Sequence, residues 1–190
     1  MMRSVTALAT AVLVSLAAGG CGSPGRTPAR VTPCPARALV LRPGTPVVPM
    51  TGEHAVIYAL ANRGPATCMV HGYPQVVLYG ADGVVLPFRY ATGGGAYVTS
   101  SKPVTVVLAP GASAYVLVAK YRCDLGIART ATAIRLTLPA AHGAALAQQE
   151  PVGISGPAGL SYCRGGPHDP GQLVTVSPAE PTAQAASSLR

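Results

Sequence analysis

The sequence has no tryptophan and a single phenylalanine, Phe88. A core must therefore draw its buried area from Val, Leu, Ile and the eight tyrosines, at roughly 25 cal/mol per Å² of apolar surface removed from water. Acidic residues are also scarce, six against 14 Lys and Arg, for a formal charge of +8. The basic residues fall singly or in loose pairs, Arg63, Arg89, Lys120 and Arg135 among them, with no run and no basic helix. That spread reads as a generally soluble basic surface, with a dedicated site for anionic lipid headgroups or acidic wall polymers as the alternative. Long hydrophobic runs are missing too. Val5 to Ala18 is an uncharged apolar run of about 14 residues with no comparable run after it, short of the roughly 20 that a helix needs to cross a bilayer.

That stretch begins after Arg3 and ends at Ala18, Gly19 and Gly20, the small residues that a signal peptidase requires. Cys21 follows directly, and the arrangement resembles a bacterial lipobox with Ala18 where Leu is usual. Residues 1–20 are expected to be a signal peptide, and Cys21 the lipidated N-terminus of the mature protein; the plainer alternative is a secretory cut with no lipid. Residues 21–33 form a Pro/Gly-rich linker with Pro24, Pro28 and Pro33. At roughly 3.3 Å per residue, such a tether spans some 40 Å at full stretch. The expected location is the extracytoplasmic face of the cell membrane or the secreted cell envelope, with the membrane as a partner through the anchor. Export argues against nucleic acid as a partner.

Four further cysteines, Cys34, Cys68, Cys123 and Cys163, make an even set. In an exported chain this reads as two disulfides. Three connectivities are open, and pairing neighbours along the chain, Cys34 with Cys68 and Cys123 with Cys163, is the expected one. Each would close a loop worth roughly 4 kcal/mol in the chain-entropy model. No two of them have the close spacing that zinc sites use, so no metal and no cofactor is expected.

Residues 34–176 read as one all-β domain. Stretches rich in Val, Thr, Tyr and Leu recur between Gly and Pro: Ala36 to Leu41, His54 to Ala61, Gln75 to Tyr79, Val84 to Tyr90, Val104 to Leu108, Ser113 to Tyr121, Ala131 to Leu138 and Gln172 to Val176. Ile134, Leu136 and Leu138 alternate with Ala133, Arg135 and Thr137, the period of a strand with one face inside. Turn chemistry separates these stretches at Asn62 to Pro65, at Asp82-Gly83 and at Pro110-Gly111, the last read as a hairpin turn. Seven or eight such strands predict an antiparallel β-sandwich. Ala140 to Gln149 has helix-friendly content interrupted by Gly143 and is allowed one short turn; residues 177–190, small, polar and proline-containing, are expected to be a disordered tail.

The ordered landmarks Leu60-Ala61-Asn62-Arg63-Gly64-Pro65-Ala66-Thr67-Cys68, Gly72-Tyr73-Pro74, Asp82-Gly83, Leu108-Ala109-Pro110-Gly111 and Cys123 resemble a family of actinobacterial secreted lipoprotein domains catalogued as domain of unknown function 4232. The resemblance covers roughly Cys34 to Leu138. It implies an immunoglobulin-like β-sandwich displayed outside the membrane, and it supplies no catalytic residues. The long segment from Pro139 to Pro170 departs from the plainest form of the pattern.

Catalytic parts are hard to find. Gly153-Ile154-Ser155-Gly156-Pro157 has Pro157 where a nucleophile elbow needs glycine. Thr99-Ser100-Ser101-Lys102 puts a threonine where an S-x-x-K motif needs its serine, and Gly93-Gly94-Gly95 lacks the Lys-Ser/Thr of a phosphate-binding loop. Glu53 and His54 point to opposite faces if extended, and His168-Asp169 sits in a Gly/Pro-rich loop. The expected function is a non-enzymatic envelope module that binds a protein, lipid or polysaccharide, with Tyr97 and Lys102 of the loop from Ala91 to Lys102 as candidate ligand contacts. An envelope hydrolase with a His/acid site assembled by the fold is one alternative, and a structural spacer is the other.

Overall fold

The computed structural model describes residues 30–42, 44–47, 52–94, 97–139, 145–149 and 159–187. The chain divides into Met1–Arg30 and Val31–Arg190. The signal segment, Cys21 and nearly all of the linker lie outside the described residues.

Period-two sequence becomes strand throughout the second unit. The strands are β1 (Leu39–Leu41), β2 (Thr45–Val47), β3 (Glu53–Asn62), β4 (Cys68–His71), β5 (Gln75–Gly80), β6 (Arg89–Thr92), β7 (Thr105–Leu108), β8 (Ser113–Tyr121), β9 (Ile127–Arg129), β10 (Ala131–Leu138), β11 (Ala145–Gln149), β12 (Tyr162–Cys163) and β13 (Leu173–Val176), followed by one helical turn, α1 (Ala183–Ala186). The all-β expectation holds, with more and shorter strands than the seven or eight predicted. One sheet runs β1-β3-β8-β13-β6, with β2 added to the same edge of β3 as β1; a second runs β11-β10-β5, and β4 pairs with β7. Among the described strands every pair is antiparallel except β13 with β6.

The core follows from alternation. Val56, Tyr58 and Leu60 of β3 and Ala114, Val116 and Val118 of β8 face Leu78, Ile134 and Leu136 of the second sheet in one buried cluster. Each fully buried Leu or Ile there contributes about 1.5–3 kcal/mol. The opposite face of β3 and β8 is covered too. Ala55, Leu117 and Ala119 pack with Val98 and Ala186 in a second cluster.

That second cluster corrects the disordered tail expected from Ser177. Ser177, Ala179, Glu180 and Ala186 are buried. Tyr115 and Glu180 exchange backbone hydrogen bonds of 2.8 and 2.9 Å, and Ser177 N–H donates to Leu117 O at 2.9 Å. Small side chains let this backbone lie flat against β8, so it needs no large apolar residue of its own. The turn allowed within Ala140 to Gln149 is likewise corrected. Ala145–Gln149 pairs along β10 from Ile134 to Leu138, so the ladder overrides local helix preference. The candidate strand Val84 to Tyr90 breaks in two: Leu86 N–H still donates to Leu78 O at 2.8 Å, but Pro87 has no N–H to continue a ladder, and pairing resumes only in β6.

Asn62 organises one corner. It is wholly buried. Its Nδ2 donates to Ala66 O at 2.9 Å and Leu108 O at 3.0 Å, while Oδ1 accepts from Gly64 N at 2.9 Å. Its backbone meets Ala112 O and Gly111 N at 2.9 and 2.7 Å. Gly111 has φ +82°, and Ala112 N–H donates to Ala109 O at 3.0 Å, which makes Pro110-Gly111 a type II turn. It is not the hairpin expected. β7 and β8 belong to different sheets, so the turn carries the chain across the core, and Asn62 holds it there.

Candidate functional site

The alternation that sends Ala114, Val116 and Val118 of β8 into the core also sends Lys120 inward. Lys120 is 3% exposed. Its Nζ donates to Tyr121 O at 2.8 Å and lies 3.6 and 3.7 Å from the sulfurs of Cys123 and Cys163. Sulfur is a weak acceptor, so the ammonium has one strong partner. Burial pulls the amine down from 10.5 to about 8, against the opposing pull of the Asp169 and Glu53 carboxylates. Both oxygens of Asp169 are engaged by backbone, Oδ1 accepting from Gly171 N at 2.9 Å and Oδ2 from Asp124 N at 3.2 Å.

The two disulfides build the surroundings. Cys34 pairs with Cys68 and Cys123 with Cys163, their Cα atoms 4.8 and 5.2 Å apart, as neighbour pairing predicts. The second bridge ties the end of β8 to β12. It brings Ser161 beside Lys120, and His54 sits directly opposite Lys120 in the β3–β8 register. Between them is a cavity of about 270 Å³ whose described walls include His54, Lys120, Arg122, Ile127 and Ser161 and no acidic side chain. Ser161 is 2% exposed, and its Oγ has no hydrogen-bond partner among the described residues. A buried hydroxyl left without a partner costs about 1–3 kcal/mol. Arg122 is exposed and stands over the Tyr121 ring at 5.9 Å.

Glu53 lies on the opposite face. It lines a second cleft, about 140 Å³, with Tyr97, Thr175 and the other side of Lys120. Burial pushes its carboxyl up, and Lys120 opposes the shift. The expectation that Glu53 and His54 point apart therefore holds.

The candidate ligand contacts part company here: Tyr97 is 4% exposed and forms part of this second cleft, whereas Lys102 is exposed and lines neither cleft. The loop is fastened at its far end, where Tyr73 Oη donates to Ser101 O at 3.1 Å and Ser101 Oγ to Glu180 Oε1 at 2.8 Å. Lys120 and Ser161 were not singled out by composition. The parity of Lys120 with Val116 and Val118 is the signal that marks it as inward. Ser161 has no comparable sign, because its burial depends on the Cys123–Cys163 bridge. Among the described residues, no group of three or more His, Cys, Asp and Glu side chains could hold a metal ion.

The molecule is thus an all-β domain fastened by two disulfides, with a cavity beside one of them whose described walls are basic and carry no acidic side chain. Residues 34–180 match the family described as a domain of unknown function, DUF4232, and the chain belongs to it. No curated protein and no solved structure matches. Two disulfides suit an oxidising compartment outside the cytoplasm. No described helix is long and apolar enough to cross a membrane.

Proposed function

We propose that the protein is a non-enzymatic binding module of the cell envelope, held at the outer face of the membrane through lipidated Cys21, with its ligand site in the cavity beside Lys120. The buried, unpartnered Ser161 Oγ in that cavity carries the reading: a polar group kept in the interior without a partner is a place for a ligand atom. The disulfides and the signal-like N-terminus support the location. The hydrolase alternative asks for a histidine beside an acid. Across the ladder His54 has Lys120, Glu53 belongs to the other face, and Asp169 is committed to backbone N–H groups. That juxtaposition suits holding a ligand better than moving a proton.

A thermal-shift screen of envelope-derived small molecules tests this. A ligand present at 100 times its Kd stabilises by about 2.7 kcal/mol, a rise of roughly 5–10 °C for a domain this size. The rise should occur in the wild type and shrink in Ser161→Ala. A screen in which no compound raises the midpoint, or in which Ser161→Ala responds equally, overturns the assignment.

A further inference from the structure

Resting on that site assignment, we infer that the ligand is a small organic carboxylate, its oxygens accepting from Lys120 Nζ and Ser161 Oγ and its short apolar body lying along Ile127. The argument begins with charge. The described walls carry an ammonium, a guanidinium and an imidazole, and no carboxylate. A cation or a neutral amide gains nothing from that lining that an anion would not gain more of.

The donors also match in number. Lys120 Nζ has one strong acceptor, Tyr121 O, and two sulfurs for its remaining N–H bonds. Ser161 brings an O–H with no acceptor among the described residues. Lys120, with two N–H bonds held only by weak sulfur acceptors, and Ser161, with its O–H unpartnered among the described residues, both line this cavity, and together they fit the two oxygens of a carboxylate. A phosphate asks for more. It has more oxygens to satisfy and up to two charges to offset, whereas the one buried ammonium is already shared with Asp169 and Glu53, and Arg122 stands exposed.

Size and polarity narrow the class further. A cavity of about 270 Å³ holds about nine water volumes at roughly 30 Å³ each, which suits a molecule of about that many heavy atoms. Ile127, 41% exposed, is an apolar wall that a short aliphatic chain would cover and a bare inorganic ion would not.

The test is a titration of the full domain followed by NMR at the Lys120 and Ser161 amides, with sodium hexanoate, its neutral isostere hexanamide, and inorganic phosphate as probes. Hexanoate is expected to shift both amides saturably. Hexanamide should bind at least ten-fold more weakly, since hydrogen bonds to charged groups are about twice as strong as neutral ones. Ser161→Ala should weaken hexanoate about ten-fold, and Arg122→Ala should weaken it less while flattening its salt dependence. Arg122 is exposed, so that variant keeps its fold even if an interior substitution does not. Hexanamide binding as well as hexanoate, or phosphate displacing it, overturns the carboxylate assignment while leaving the site itself in place. If none of the three probes moves these amides, the carboxylate inference fails. The wider reading then fails as well only if the thermal screen also finds no Ser161-dependent ligand.

Discussion

At the scale of single residues, the most telling one is a lysine placed where the strand pattern calls for valine. The sequence shows Lys120 in register with Ala114, Val116 and Val118, so its inward direction is legible, although composition alone counts it with the surface cations. Its burial sets a pH dependence. The folded amine titrates near 8 and the unfolded one near 10.5. Between those values the unfolded chain binds a proton that the folded protein does not, so this group's contribution to stability rises with pH across the window, and below about 8 the cost of the buried charge is present in full. Lys120→Met should therefore be the more stable protein at pH 7, by about 1–3 kcal/mol, and urea melts at pH 10 should show that lead reduced by about 2 kcal/mol. A lead of the same size at both pH values would contradict the assignment. Asn62 illustrates the opposite use of a buried polar residue, since all of its side-chain hydrogen-bonding atoms have partners. Asn62→Ala strands those partners and should lower stability by about 2–4 kcal/mol; a loss under about 0.5 kcal/mol in denaturant melts would show the corner holding without it.

At the scale of elements, what can be read in advance is what depends on alternation within one segment. β3, β8 and β10 follow their own period, and the turns at Asp82-Gly83 and Pro110-Gly111 form where the residues call for them. What the Pro110-Gly111 turn joins is not local information, and here it joins two sheets. Ala145–Gln149 becomes a strand because β10 offers a free edge, and Ser177 to Ser187 becomes ordered because β8 offers unpaired backbone and an alanine-lined face. Neither partner is visible in the segment itself. Truncation after Ser177 should accordingly expose Leu117, Ala119 and Val98 and lower the melting temperature by several degrees, about 2–4 °C for each kcal/mol lost; an unchanged melting temperature would return the segment to the role of a dispensable tail.

At the scale of the whole molecule, the two disulfides do different work. Cys34–Cys68 fastens the start of the domain to β4, while Cys123–Cys163 closes one wall of the cavity. Each should contribute roughly 4 kcal/mol by restricting the unfolded chain, so Cys68→Ser and Cys123→Ser should both melt markedly lower than wild type. Only Cys123→Ser should also lose the ligand under conditions where the variant is still folded; equal retention of binding in both variants would detach the cavity from its bridge. The site was the least legible part of the sequence for this reason. Lys120 announces itself by parity and Arg122 follows it two residues on, but Ser161 reaches the same space through long-range closure, the Cys123–Cys163 bridge between residues 40 positions apart and the β9–β12 pairing, and Tyr97, conspicuous in a glycine-containing loop, is buried in the second cleft.

The most direct test of a carboxylate site beside Lys120 is a calorimetric titration of hexanoate into wild type and Ser161→Ala at pH 7. Saturable binding to the wild type at one site, weakened about ten-fold by the substitution, is the result the structure predicts. Equal affinity in the two proteins, or heat in neither, would contradict it.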